Sequence, residues 1–425
     1  MNATNEHGHG FTRRQVLARG SAVGAATLAT PVWLNATARA AGGAGSPAED
    51  HTLILLFLRG GMDGLSMVVP HGDDDYYAAR PELAIARPGA PSGALDLDGF
   101  FGLNPNAAPL LGAWDAGRLA IVHASGSTDP TRSHFEAFTR MEFGIPELPL
   151  GTADEGWLAR HFLATPPADA AAPLRAIALE SVLPQTLAQA PSTLPIPDLT
   201  TFAFPGDPVT AAARETVLRQ MHLDEAPPVG PAALDSLAAI ELFGGLALDD
   251  YDPSPGVTYP DSPLGASLRQ CAALLASGAA PEALMLSSAS WDHHAALGPL
   301  EGTFADMTAD LAAALAAFDA DTLGLAQSHT VVVISEFGRR VAENGSAGLD
   351  HGHGNACLVL GQGIAGGRVY GQWPGLAPAQ LDQGDLAITT DFRDVLGEVL
   401  VRRMGTADLG VVFPEHVYSP IGVTG

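Results

Sequence analysis

The chain has 425 residues, of which 47% are hydrophobic and 16% are charged. This composition excludes a largely disordered protein, and the length allows one large α/β domain or two smaller ones. The formal net charge is −26 and every basic residue is an arginine, so we expect no nucleic acid among the partners. Two cysteines, Cys271 and Cys357, are too few for a disulfide framework, and we expect buried free thiols rather than a bridge.

Residues 1–40 are predicted to be a twin-arginine export signal. Thr12–Leu17 carries the paired arginines and the apolar residues that follow them, 21–34 is an apolar stretch, and 38–40 is a small-x-small cleavage site. The apolar stretch is shorter than the ~20 residues that span a bilayer, which disfavours an uncleaved anchor. We therefore expect export by the twin-arginine translocase, a periplasmic or secreted location, and no membrane span after cleavage.

The remaining chain, residues 41–425, alternates short apolar runs with helical patterns. Strands are predicted at 52–58, 66–70, 119–123, 175–179, 283–287, 331–334 and 356–360. Helices are predicted at 73–79, 104–116, 134–142, 210–221, 233–243, 263–277 and 303–323, and a last one begins near 390. This rhythm predicts a single α/β domain with a doubly wound, mostly parallel sheet flanked by helices. Residues 150–260 are predicted to be a cap or insertion on one side of that sheet.

Acids and histidines cluster near the ends of these predicted strands. They are Asp63, Asp292, His294, Glu336, Asp350, His351 and His353. Because ligands of open α/β sheets bind at the carboxyl ends of the strands, we expect these side chains to form a metal site. Carboxylate oxygen and imidazole nitrogen suit zinc, manganese or iron more than calcium. Taken alone, the Asp-Gly pair favours a turn residue at Asp63 over a metal ligand, and Glu336 is either a ligand or an ion-pair partner of Arg339.

The segment after the strand 119–123 carries candidate catalytic residues and allows two interpretations. Ser133 and Glu136 are spaced as a capping box, which would satisfy free backbone amides at the start of a helix. Alternatively, Ser133 or Thr131 is a nucleophile at that helix N-terminus, where the amides favour an anion. Arg132 would then add a bidentate clamp on the anion. The residues leave both interpretations open.

The motifs together resemble the exported bacterial family named domain of unknown function 1501. They are the twin-arginine start, Leu58–Leu65, Arg132–Glu136, Trp291–His294, Ser335–Arg339, Asp350–Gly352 and Thr390–Arg393. The resemblance covers nearly the whole mature chain. That family is placed in the alkaline phosphatase and sulfatase superfamily, which implies an alkaline-phosphatase-like α/β domain with a di-metal site. It implies no particular substrate, because the family is largely uncharacterised.

The resemblance also implies roles for individual residues. Asp63 is similar to the superfamily's metal-binding aspartate after the first strand. Asp350-His351 resembles its Asp-His metal pair, with His353 as a further ligand or a neighbour of the ligands. Asp292 with His294 resembles the aspartate and histidine of the other metal.

The resulting hypothesis is an exported metal-dependent hydrolase of small or polymeric phosphate or sulfate esters. One or two divalent ions would be bound, with zinc first and manganese, iron or calcium as alternatives. Ser133, in the position of the superfamily nucleophile, or Thr131 would attack, and Arg132 or Arg59 would stabilise the anion. The alternative is a non-catalytic exported protein of the same fold that binds polysaccharide or a protein partner.

Overall fold

The computed structural model describes residues 51–147, 149, 151–169, 172–227 and 229–425. The predicted export signal at residues 1–40 lies outside the described residues. The chain divides into two compact units: Phe202–Gly245 belongs to one, while the described residues up to Thr201 and from Leu246 form the other.

The elements are numbered here in chain order. The strands are β1 (His51–Leu58), β2 (Val68–Val69), β3 (Leu95–Asp96), β4 (Gly102–Leu103), β5 (Leu119–Gly126), β6 (Ala176–Ala178), β7 (Thr193–Pro195), β8 (Ala283–Ser288), β9 (Ser328–Ile334), β10 (Asn355–Gly361), β11 (Arg368–Tyr370) and β12 (Thr390–Asp391). The α-helices are α1 (Gly64–Met67), α2 (Asp74–Ala79), α3 (Leu111–Asp115), α4 (His134–Phe143), α5 (Trp157–Ala164), α6 (Ala211–His222), α7 (Val229–Leu246), α8 (Pro263–Ser277), α9 (Thr303–Thr322), α10 (Phe392–Arg403) and α11 (Leu409–Val412). Short 3₁₀ helices cover Pro105–Leu110, Gln185–Leu187, Pro208–Thr210 and Leu248–Asp250.

The larger unit is built on a nine-stranded sheet in the order β11-β5-β10-β9-β1-β8-β6-β7, with β12 beside β5. Strand β10 runs antiparallel to both β5 and β9, whereas the other neighbouring pairs are parallel. The predicted α/β class with a mostly parallel sheet is therefore confirmed. The carboxyl ends of β1, β5, β8 and β9 and the amino end of β10 share one edge, which is called the carboxyl edge below.

The centre of the sheet is covered on both faces, as its unbroken apolar runs predict. All eight residues of β1 are buried, and Leu53, Leu55 and Phe57 pack in one cluster with the apolar face of α10. Phe413 and Val423 from the C-terminal tail join the same cluster. Each fully buried large apolar side chain contributes about 1.5–3 kcal/mol relative to an exposed one, so this core fixes the strands whose ends carry the site.

Two predicted elements differ from the structure for local reasons. Residues 66–70 were predicted as a strand, but the Asp63 carboxylate accepts a hydrogen bond from the Ser66 amide at 3.0 Å and caps the helical turn α1, so only β2 remains extended. The predicted helix 104–116 is split into a 3₁₀ segment and α3, because Pro109 lies inside it and lacks an amide donor.

The start of α10 also differs from the prediction. The sequence Thr390-Asp391 predicts a threonine cap with the aspartate in the first helical turn. Instead Thr390 pairs with β5, and the Asp391 side chain caps the helix by accepting a hydrogen bond from the Arg393 amide. Cys271 and Cys357 are both buried and free, as expected.

The predicted cap or insertion at residues 150–260 consists of two different parts. Strands β6 and β7 extend the main sheet beside β8, so that part of the segment is not a cap. Phe202–Gly245, with α6 and most of α7, belongs to the other compact unit. Among the described residues, Val229–Asp250 is the one helical stretch with a length and composition that would suffice to cross a membrane.

Candidate metal centre

Four side chains meet at the carboxyl edge of the sheet. Ligand atoms of His134, Asp292 and His351 lie within 4.8 Å of one another. The distance from Asp292 to His351 Nε2 is 3.2 Å, and that to His134 Nε2 is 3.4 Å. His294 Nε2 lies 3.0 Å from Asp292 and 2.9 Å from His351 Nε2. These four residues are called the centre below.

The sheet topology explains why residues so distant in sequence meet. His134 is the first residue of α4, after β5, and Asp292 and His294 follow β8. His351 precedes β10, and it reaches the same edge because β10 runs antiparallel to its neighbours. The centre is thus assembled from three different strand connections.

Hydrogen bonds fix the orientation of two of the imidazoles. His134 Nδ1 lies 2.6 Å from a carboxylate oxygen of Glu336, and His351 Nδ1 lies 2.8 Å from the carbonyl oxygen of Arg132. Because both partners are acceptors, each Nδ1 carries a proton and each Nε2 is directed at the centre. The hydrogen bond to Glu336 raises the pKa of His134, whereas burial lowers that of His351.

The third imidazole follows the same pattern more loosely. His294 Nδ1 is 3.4 Å from the Asp350 carboxylate, which also accepts a hydrogen bond of 3.2 Å from the Asn344 side chain. That bond from Asn344 lowers the pKa of Asp350, so the carboxylate is ionised at neutral pH and orients His294. All three Nε2 atoms therefore converge on Asp292.

A buried arginine keeps Asp292 charged. Arg339 is 2% exposed and donates to Asp292 Oδ1 at 2.5 Å, while its other hydrogen bonds go to backbone carbonyls, including that of Gly61 at 2.6 Å. Burial acts to raise the pKa of Asp292, but the hydrogen bond and charge of Arg339 outweigh it and lower that pKa to about 2. Asp292 Oδ2, which lies nearest His134, is not used by Arg339.

The donor atoms fit a divalent metal ion. Bonds of about 2.0–2.1 Å in a tetrahedral site place neighbouring ligand atoms roughly 3.3 Å apart, and the four contacts described above, of an imidazole Nε2 with another Nε2 or with an Asp292 oxygen, are 2.9–3.4 Å. Three imidazoles and one carboxylate form a donor set that suits zinc, manganese or iron.

The predicted ligands fall into three groups in the structure. Asp292, His294 and His351 belong to the centre. Glu336 and Asp350 hold histidines of the centre by their Nδ1 atoms.

Asp63 lies elsewhere. It is 1% exposed, and its two oxygens accept hydrogen bonds of 2.6 and 2.9 Å from Arg80. The carboxylate is therefore committed to a closed ion pair, and the structure does not bring it into the centre.

His353 is also separate from the centre. Its Nδ1 lies 2.8 Å from Asp382, and its Nε2 lies 3.0 and 3.1 Å from the carbonyl oxygens of Ser127 and Asp129. Both ring nitrogens face partners outside the centre, so the structure does not place this imidazole among the converging ligand atoms. Its position braces the loop between β5 and α4.

The two candidate nucleophiles in the loop before α4 differ in the hydrogen bonding of their hydroxyl groups. Ser133 occupies the N-cap position, but its hydroxyl makes no capping hydrogen bond, so the predicted capping box is wrong. Glu136 instead accepts a hydrogen bond of 2.9 Å from the Thr131 hydroxyl. Within the described residues no hydrogen bond occupies the Ser133 hydroxyl, whereas that of Thr131 is committed.

The two arginines predicted to stabilise an anion are already paired. Arg132 donates to the fully buried Asp385, with one bond of 2.8 Å. Arg59 contacts Glu142 at 3.2 Å and lies over the ring of Phe138.

Sequence reasoning missed His134, although it lies inside the motif Arg132–Glu136. The signal was a histidine in the first turn of a helix that follows a strand at the carboxyl edge. The capping pattern of Ser133 and Glu136 explains the same segment without a ligand, so the sequence alone does not single out His134.

Comparison with known proteins supports the family resemblance. A family model with the description Protein of unknown function (DUF1501) matches residues 99–397. The match covers more than half of the chain and includes all four residues of the centre, whereas Asp63 and Arg80 lie outside it. A search of curated proteins finds no match.

Proposed function

The chain belongs to the DUF1501 family of proteins of unknown function, and on that premise we propose that it is an exported, metal-dependent hydrolase of phosphate or sulfate esters. The observation that carries the proposal is the convergence of three imidazole Nε2 atoms on the ionised Asp292, close in sequence to an uncommitted serine hydroxyl. A divalent ion held there, zinc first, would polarise the ester oxygen and lower the pKa of a bound water.

Ser133 is the proposed nucleophile. Its neighbour in sequence, His134, is oriented towards the centre by Glu336, and Ser133 itself caps the ten-residue helix α4 without using its hydroxyl. Free backbone amides and the helix dipole at this N-terminus favour the anionic group of the ester. With the anion held between the helix terminus and the centre, the hydroxyl would lose its proton and attack the phosphorus or sulfur atom. The bond to the ester oxygen would break and release the alcohol, and water would then hydrolyse the esterified serine.

A second candidate function is a non-catalytic exported protein that keeps the centre and binds polysaccharide or a protein partner. The observation in its favour is the pairing of Arg132 with Asp385 and of Arg59 with Glu142. With these two arginines committed, charge stabilisation of a transition state would rest on the helix terminus and the metal.

Metal analysis combined with an ester panel tests the proposal. The purified mature protein, His351→Ala and Ser133→Ala are assayed for bound metal and for hydrolysis of p-nitrophenyl phosphate and p-nitrophenyl sulfate. His222→Ala is the matched control, because His222 belongs to the other compact unit and pairs with Glu225. We expect His351→Ala to lose the metal and turnover, and Ser133→Ala to lose turnover only.

The other outcomes of the metal analysis and the ester panel distinguish the hydrolase from the binding function. Bound metal without turnover in the parent protein would favour the binding function over the hydrolase. A parent protein with neither metal nor turnover would contradict both. The expected location is periplasmic or secreted, on the basis of the twin-arginine pattern.

A further inference from the structure

A cavity of about 450 Å³ lies beside the loop that leads into the centre. One wall is formed by residues 128–130 and another by Pro146, Glu147 and Pro149, and Arg140 also lines the cavity. The volume is within the ~300–1,000 Å³ of typical ligand sites. The same loop continues to Arg132, whose carbonyl oxygen orients His351, and His353 contacts the carbonyl of Asp129. A ligand in this cavity would therefore be held by the loop that also positions the centre.

The charged groups of the cavity are already balanced. Asp129 pairs with Arg140 at 3.1 Å. Glu147 accepts hydrogen bonds of 2.6 and 2.8 Å from Arg393 and one of 3.0 Å from the Thr128 hydroxyl. A charged ligand of either sign would meet carboxylates and guanidinium groups that are already paired with one another. The cavity therefore favours a neutral ligand.

The remaining lining favours a ring that carries hydroxyl groups. Pro130, Pro146 and Pro149 present rigid apolar faces without amide donors. Partial burial acts to raise the pKa of Glu147, but the hydrogen bonds from Arg393 outweigh it and hold that pKa below its usual value. The ionised carboxylate is fixed in place, and its oxygens keep acceptor capacity for further hydroxyl donors. Apolar faces with fixed acceptors match the C–H faces and hydroxyl groups of a sugar.

We propose that this cavity binds a neutral sugar unit, so that the ester processed at the centre is carried on a carbohydrate chain. The substrate part of this inference rests on the proposed function, whereas the sugar site stands by itself. The reacting ester would lie at the centre, with a neighbouring unesterified sugar in the cavity.

A glycan array tests the sugar site. The labelled mature protein is applied to an array of neutral, sulfated and phosphorylated oligosaccharides, and the best-bound neutral glycan is then titrated by calorimetry. Thr128→Val removes one hydroxyl at constant size, Glu147→Gln removes the charge, and Glu301→Gln is the control at an exposed glutamate. We expect each cavity variant to weaken binding at least tenfold, with the control unchanged.

His351→Ala separates this proposal from the proposed function. It should lose metal and turnover but keep its affinity for the glycan, so a failure of hydrolysis leaves the sugar site standing. Should Glu147→Gln fail to fold, Thr128→Val carries the test. No binding to any neutral glycan, or unchanged affinity in both cavity variants, would overturn the sugar site.

Discussion

Removing the Asp63 carboxylate separates its two possible roles. The resemblance implies that Asp63 binds a metal, whereas the structure pairs it with Arg80. In Asp63→Ala the guanidinium of Arg80, which is 0% exposed, would lose both carboxylate bonds and keep only bonds to the Ser66 hydroxyl and to two backbone carbonyls. An uncompensated buried charge costs about 3–5 kcal/mol, a large part of the ~5–15 kcal/mol that stabilises a typical domain.

The directions of the pKa shifts agree with a charged pair. Burial acts to raise the pKa of Asp63, but Arg80 outweighs it and the carboxyl pKa is lowered. Burial acts to lower the pKa of Arg80, but Asp63 outweighs it and the guanidinium pKa is raised. Both groups therefore stay ionised, and the loss in stability should persist across the neutral range of pH.

Urea unfolding and metal analysis of the same samples measure the two roles. We expect Asp63→Ala to lower the free energy of unfolding by about 3–5 kcal/mol while the folded protein keeps its metal. The double variant Asp63→Ala/Arg80→Ala should recover part of the loss, because no unpaired charge remains. Loss of the metal with unchanged stability would refute this reasoning and restore Asp63 to the ligand set.

Three further predictions concern the centre and the opposite end of the sheet. His294→Ala should weaken metal binding measured by competition with a chelator, and unchanged affinity would remove His294 from the centre. Glu336→Gln should reduce metal affinity about 10–100-fold, because His134 loses its charged partner; an unchanged affinity would contradict that role. Burial lowers the pKa of His51 to about 3 and that of His329 to about 4, so the folded state keeps both neutral while the unfolded chain protonates near pH 6.5. Stability should therefore fall as the pH falls from 6.5 towards 3, by at most about 1.4 kcal/mol per pH unit for each histidine, and His51→Gln should flatten this slope in urea unfolding.

The fold class and most elements could be predicted because each depends on a local pattern. The apolar run of β9 predicts a buried strand, and the apolar spacing of α8 with a glycine after its last residue predicts a helix. The sequence of β10 does not show whether the strand is parallel or antiparallel to its neighbours, because a strand buried at the centre of the sheet is apolar in either direction. The direction of β10 is nevertheless what brings His351 to the carboxyl edge.

The ligand set was harder to predict than the edge on which it lies. An aspartate after a strand is compatible with a metal, a turn or an ion pair, and the choice depends on a partner distant in space. For Asp63 that partner is Arg80, which directly follows the predicted helix 73–79. No pattern in the sequence connects the two residues. For His134 it is Glu336, 202 residues away, and that hydrogen bond rather than any spacing makes the imidazole a donor to the centre.

Arg80 connects the Asp63 ion pair with the loop that follows β9, which carries Arg339. Besides binding Asp63, Arg80 donates to the carbonyls of Arg340 and Val341 at 3.0 and 2.8 Å. These residues follow Arg339, which fixes Asp292. The carboxylate that resembles a metal ligand is therefore joined to the loop after β9 through the arginine that it holds. A loop that loosens in Asp63→Ala would lower metal affinity only together with stability, which is how a positioning role differs from direct coordination.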